Sequence, residues 1–160
     1  MATGSFFFLT DKYFVDFPDP YIMKNKEKVD GQLHERPCFY AFNEDLSELL
    51  WMIPISSNIK KYMTIYQNKI SVRGVCDTIQ FGYVLGRKKA FLIQNMCPAT
   101  MDYISNEYYD AKTNSPVRVD GAFERILIHA AKKVLALERQ GVKLIFPNVL
   151  KIEEALKSNA

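Results

Sequence analysis

The chain has 160 residues, 48% of them hydrophobic and 24% charged, with a net charge of +3 from 21 basic and 18 acidic side chains. That length suits one domain, and the apolar share argues against a disordered chain. No apolar run is long enough for a membrane span, and a charge this close to balance makes the placement of the basic residues, rather than their number, the guide to nucleic-acid binding.

Met1-Ala2-Thr3-Gly4-Ser5 has no basic stretch and no long apolar stretch. It reads as a scar of expression rather than a signal peptide, with the native chain starting near Phe6. Phe6 to Leu9 reads as a first strand. Thr10-Asp11 starts a helix with Tyr13, Phe14 and Phe17 on its apolar face, and Pro18 and Pro20 end it. Residues 24–36 are polar and charged and read as a surface loop. Pro37 opens a strand over Cys38-Phe39-Tyr40-Ala41-Phe42, Asn43-Glu44-Asp45 turns the chain, and Leu49 to Ile55 forms a second strong strand. Pro54 places that strand at an edge or bulge.

Ser56-Ser57-Asn58 is a loop, and Lys60 to Lys69 reads as a short helix. Asp77 to Gly86 and Lys88 to Gln94 form a hairpin around Gly86-Arg87. Tyr103 to Asn114 is a Tyr-rich polar connection. Asp120 caps the clearest element, a helix that runs to about Gln140 and is stopped by Gly141. Its Phe123, Ile126, Leu127, Ala130, Val134 and Leu137 recur at spacings of three and four, a core-facing stripe. Lys143 to Phe146 reads as a short strand, Pro147-Asn148 as a turn, and Val149 to Leu156 as a last helix. Strands first and helices last predict a single α+β domain, a strongly bent antiparallel sheet with helices packed to one side.

Cys38, Cys76 and Cys97 are widely spaced with no C-x-x-C, the pattern of buried thiols in a reducing compartment. His34 and His129 are the only histidines, so no histidine-based metal site is expected. No Gly-rich phosphate loop, zinc motif or nucleophile elbow is present, and no cofactor is expected.

Two segments carry the chemistry. His34-Glu35-Arg36-Pro37 lies at the mouth of one expected strand, and Pro54-Ile55-Ser56-Ser57-Asn58 at the exit of the next. If those strands are neighbours, a basic and imidazole cluster faces a pair of hydroxyls. RNA cleavage by attack of the ribose 2′-OH needs such groups: one to take a proton, one to stabilise added negative charge, one to protonate the leaving 5′-oxygen. Against this stands the plainer reading of a surface arginine, a two-serine turn and a bystander histidine. Basic residues gather at Lys24, Lys26 and Lys28, at Lys60 and Lys61, and at Arg87, Lys88 and Lys89. Arg125, His129, Lys132 and Arg139 form a basic ridge on the long helix. Such patches neutralise phosphates or are simply solvated. Tyr103, Tyr108 and Tyr109 can stack on bases or pack.

Several segments, in one order, resemble a known family. They are Asn25-Lys26-Glu27, His34-x-Arg36-Pro37-Cys38-Phe39-Tyr40-Ala41, and Trp51-x-Ile53-Pro54-Ile55-Ser56-Ser57-x-x-x-Lys61-Tyr62. The similarity continues through Cys76-Asp77-Thr78-Ile79, Gly86 to Asn95, Cys97-Pro98 and Phe146-Pro147. The chain resembles the toxins of type III toxin–antitoxin systems, the ToxN/AbiQ group, and most closely the CptN branch. The resemblance implies a bacterial, cytoplasmic endoribonuclease with a compact MazF/CcdB-like small-barrel fold. It implies metal-independent cleavage of cellular RNA to 2′,3′-cyclic phosphate and 5′-OH ends. It also implies direct inhibition by an RNA antitoxin, a pseudoknot that the toxin cuts from a repeated precursor, with toxin and RNA alternating in a closed ring. Growth arrest and abortive phage defence are the usual biology.

By the same resemblance the Pro-Ile-Ser-Ser segment places the family's functional serine at Ser57, with Ser56 as the adjoining hydroxyl. Arg36 stands where the family has an active-site lysine, and would stabilise the anionic transition state. Lys60 or Lys61 takes the part of a second family lysine. Proton transfer falls to His34, which has no counterpart in the family and enters because histidine is the usual side chain for that work, or to Lys26 or Lys60. The expected RNA-binding set is Lys24, Lys28, Lys61, Tyr62, Arg87, Lys88, Lys89, Arg125 and Lys132. A non-catalytic RNA-binding module is the alternative of a different class, and a small adaptor protein the third reading.

Overall fold

A computed structural model describes residues 2–44 and 48–158. The expected turn at Asn43-Glu44-Asp45 therefore runs into residues outside that set, as does Met1. The elements follow in chain order: β1 (Phe6–Leu9), α1 (Asp11–Asp16), β2 (Lys26–Val29), β3 (Gln32–Glu35), β4 (Cys38–Asn43) and β5 (Leu50–Ser56). Next come α2 (Ile59–Arg73), β6 (Ile79–Val84), β7 (Arg87–Leu92), β8 (Cys97–Ala99), β9 (Ile104–Glu107), β10 (Tyr109–Asp110) and β11 (Ser115–Pro116). Two long elements close the chain, α3 (Gly121–Arg139) and α4 (Val149–Ser158). The fold is α+β, and among the described residues every strand pairing is antiparallel.

The main sheet runs β6-β7-β5-β4-β1-β9, with β8 also paired to β5. β5 organises it. One flank pairs with β4; on the other, Leu50 to Met52 pair with β8, while Ile55 and Ser56 pair with β7. All seven β5 residues are buried, including Pro54, so this is a central strand rather than an edge. Among the described residues the end strands β6 and β9 do not pair with each other, so the sheet stays open and no barrel closes. The β4–β5 register shifts between Tyr40 and Phe42, an irregularity of the kind that increases local twist.

Alternation along β4 and β5 sorts two cores. Phe39, Ala41, Trp51, Ile53 and Ile55 join Phe6, Phe91 and the buried stripe of α3. Cys38, Tyr40, Leu50 and Met52 join Phe7, Leu9, Cys97 and Tyr13 of α1 on the opposite face. A strand apolar on both faces must be covered on both, so the helices are not confined to one side as expected. The stripe of α3 is also rotated from its expected position: Ile126 is exposed, while Ala131, Leu135 and the carboxylate-bearing Glu138 are buried.

Other differences have local causes. Residues 24–36 are not a loop but contain the β2–β3 hairpin, turned at Asp30-Gly31 with φ of 52° and 79°. Two successive positive φ values are what a two-residue hairpin turn requires, and Asp-Gly supplies them. The expected short helix at Lys60 to Lys69 is the longer α2, capped by the Asn58 side chain and ended by Gly74 in the left-handed region. The Tyr-rich connection contains β9 and β10. Lys143 to Phe146 forms no strand: the Leu144 and Ile145 N–H groups donate to the buried Glu138 carboxylate instead of to a ladder. Gly4 and Ser5 are packed into the fold, Gly4 N–H donating to the Tyr40 carbonyl and Tyr40 N–H to that of Ser5.

Candidate active site

The β5–β7 register builds the site. Ile55 pairs with Phe91 and Ser56 with Ala90. Continued by one residue, that register sets Ser57 opposite Lys89, and Lys89 Nζ donates a hydrogen bond to Ser57 Oγ. The β2–β3 hairpin closes over this end of the sheet and brings Glu27 to the pair. Ser57 Oγ donates to Glu27 Oε1 at 3.1 Å, and Ser57 N–H donates to Glu27 Oε2 at 3.3 Å. The serine is thus held by three hydrogen bonds between two partners, its hydroxyl proton aimed at a carboxylate and its oxygen at an ammonium.

Arg36 fixes the carboxylate. Its Nη1 donates to Glu27 Oε2 at 3.1 Å and to the Ile55 carbonyl at 2.7 Å, while Nε donates to the Lys24 carbonyl at 2.8 Å. The Arg36 and Glu27 side chains are only 8% and 14% exposed, so the ion pair is largely desolvated. Burial pushes the Lys89 ammonium below the usual lysine range, and Arg87 pushes it further the same way. The nearby carboxylates of Glu27 and Asp30 pull it partly back.

These groups open on a cleft of about 540 Å³. Its walls bring together Arg36, Ser56, Ser57, Lys28, Lys61, Tyr62, Arg87, Lys88 and Lys89 from the expected set, with Glu27 between them. Arg87 reaches across the rim to Asp30 at 3.1 Å. Ser56 is buried, and its Oγ accepts from the Asn58 N–H at 3.1 Å, which ties the hydroxyl into the turn. Tyr62 is buried too, with the Lys61 amine 5.2 Å from its ring centroid.

Other expected residues lie elsewhere. Lys60 is exposed at the start of α2, and Lys24 and Lys26 are exposed; none of the three lines this cleft. Arg125 and Lys132 sit exposed on α3 outside it, the Lys132 amine 5.6 Å from the Phe42 ring centroid. His34 pairs directly with Glu27 across the hairpin, so the two share a face. It lines a second cleft on the far side of Glu27 and Lys89.

Glu27 and the central position of Lys89 are what sequence reasoning missed. The Asp30-Gly31 signal was present, but the strands flanking it are polar, which hid the hairpin and with it the pairing of Glu27 with His34. Lys89 was placed with the phosphate-binding residues; only the β5–β7 register sets it on Ser57.

Among the described residues, no group of three or more His, Cys, Asp or Glu side chains is arranged to hold a metal ion. No helix there is long and apolar enough to cross a membrane. The three cysteines are free; burial pushes the Cys97 thiol up to about 11 and that of Cys38 higher still. Comparison with protein families finds no match to the chain, and comparison with curated proteins finds none either.

Proposed function

We propose that the protein is an endoribonuclease toxin of the type III toxin–antitoxin kind, cutting RNA through the ribose 2′-OH. The observation that carries the reading is the Lys89–Ser57–Glu27–Arg36 chain at the floor of a cleft rimmed by Lys28, Lys61, Arg87 and Lys88. In the reaction, the 2′-oxygen attacks the adjacent phosphorus, the bond from phosphorus to the 5′-oxygen breaks, and a proton moves from one oxygen to the other. RNA carries its own nucleophile, so the protein must supply position, charge and proton transfer.

Lys89 offers the charge. A half-buried ammonium beside a fixed hydroxyl stabilises the dianionic phosphorane more strongly than a solvated one. Ser57 orients a phosphate oxygen or the 2′-OH. Glu27 and Arg36 are positioning residues, holding Ser57 Oγ where Lys89 meets it. Arg36 thus has a different part from the one the resemblance assigns, because its Nε and Nη1 groups are already engaged within the protein. His34, beside Glu27 on the hairpin face, takes the proton-transfer role.

On this reading the open antiparallel sheet is a MazF/CcdB-like toxin scaffold without barrel closure. The cationic rim also serves a pseudoknot RNA antitoxin, cut from its precursor by the same site and held with the toxin in a closed ring, in a bacterial cytoplasm.

The test is incubation of the protein with an unstructured RNA in excess chelator. Discrete fragments ending in 2′,3′-cyclic phosphate, with 5′-OH partners, are expected. RNA that is bound but stays intact would make the protein an RNA-binding module instead.

A further inference from the structure

The second cleft shares a wall with the first and has a different character. Glu27, Val29, Asp30, Arg87 and Lys89 border both. Beyond that wall the second cleft, of about 580 Å³, is floored by Ile55 and Val84 and flanked by Phe8 and Tyr108. It is the place where one core runs out to solvent. The ring of Phe6 contacts Phe39 and Phe91 inside, then Tyr108, whose ring stands edge-to-face against Phe8 with centroids 5.5 Å apart. Gln32, exposed on the hairpin, supplies an amide at the rim.

We propose that this cleft is a nucleobase subsite, holding the base next to the scissile phosphate by stacking on Tyr108 and by hydrogen bonds from Gln32. The proposal rests on the RNA-cleaving reading above and adds where the enzyme reads sequence. Charge sorts the two clefts. The first carries Lys28, Lys61 and Lys88 and suits the phosphate backbone. The second adds only His34 and Glu35 to the charges the two share, and its apolar floor suits an uncharged ring better than a phosphate. Aromatic faces accept any base, whereas an amide tells one Watson–Crick edge from another. Because Lys89 and Glu27 belong to both walls, a base in one cleft leaves its own phosphate at the catalytic cluster in the other.

The experiment has two arms. In the first, cut sites in RNA of random sequence are mapped for the wild type, Gln32→Ala and Tyr108→Leu. Gln32→Ala, a change at an exposed position, lowers the ratio between best and worst base beside the cut by about tenfold. Tyr108→Leu lowers cleavage whichever base stands beside the cut, because the ring holds a base without reading it. In the second arm, wild-type protein binds a single-stranded RNA pentanucleotide carrying one 2′-deoxynucleotide at the cut, compared with the same strand made abasic beside it. Loss of that base weakens binding by about tenfold or more. Unchanged base preference in Gln32→Ala, undiminished cleavage by Tyr108→Leu, or equal affinity for the abasic strand overturns the subsite. If the wild type makes no cut, the nuclease reading falls, and the abasic comparison alone decides whether this cleft holds a base.

Discussion

Two half-buried lysines invite comparison. Lys69 of α2 donates to Thr78 Oγ1 at 2.8 Å and to Gln94 Oε1 at 2.9 Å, with its amine 5.7 Å from the Phe146 ring centroid. Lys89 of β7 donates to Ser57 Oγ beside the Glu27 carboxylate. Burial lowers both amines below the ordinary lysine value. A depressed lysine is therefore no site marker here, since both clusters have one. The surroundings separate them. Lys69 meets neutral acceptors and ties α2 to the end of the β6–β7 hairpin, which is structural work. Lys89 meets a serine held by a carboxylate and lines an open cleft.

Ser57→Ala breaks the distinction at its centre. Cleavage should fall about a hundredfold or more in single-turnover assays. Stability should drop by only about 1 kcal/mol in urea unfolding, since Glu27 keeps Arg36 as its partner. Glu27→Gln comes next. It leaves a nearly buried guanidinium without its counter-charge and should cost about 3 kcal/mol of stability, read from the same unfolding midpoints. Lys69→Met should cost about 1–2 kcal/mol by leaving Thr78 and Gln94 short of a donor. The smallest effect belongs to the exposed Asp30–Arg87 bridge, where Asp30→Asn, which keeps a residue tolerant of the turn's positive φ, should change stability by no more than about 0.5 kcal/mol.

Alkaline pH sharpens the comparison. An unfolded lysine stays protonated up to about 10.5, but these two lose the proton earlier in the native state. In that window the unfolded chain binds more protons, so stability rises with pH as both amines shed a buried charge. On the proposed reading activity moves the opposite way, because the cation at Lys89 is the group assigned to stabilise the transition state. The alkaline limb of the cleavage rate should lie below 10.5 and vanish in Lys89→Arg, which keeps its charge. Lys69→Met should leave that limb in place while flattening the rise in stability.

The legible parts of the fold were those with strong periodicity or clear punctuation. Asp120 and the three–four spacing gave the long helix, and the apolar runs at Cys38 and Leu49 gave β4 and β5. The β2–β3 hairpin was obscured because its strands are polar and mostly exposed, so alternation gave no apolar face to count. Ser57 and Arg36 lie in the two segments that the residues themselves pointed to, with roles supplied by the resemblance, and they do line one cleft. Their relation depends on Glu27, and no local pattern reports a residue whose importance is to be held by an arginine nine positions later. Lys26 and Lys60 fall outside the cleft for a related reason: spacing places a lysine near a loop but not on the inner side of it.

The central claim is that Lys89, and not merely any depressed lysine, does the chemistry. Single-turnover cleavage of one unstructured RNA by the wild type, Lys89→Met and Lys69→Met tests it most directly, with folding of each variant checked by its unfolding midpoint. Lys89→Met should lose about a hundredfold to a thousandfold in rate, with Lys69→Met cleaving as the wild type does at a temperature where it stays folded. Equal losses in the two variants, or a larger loss at Lys69, would contradict the account.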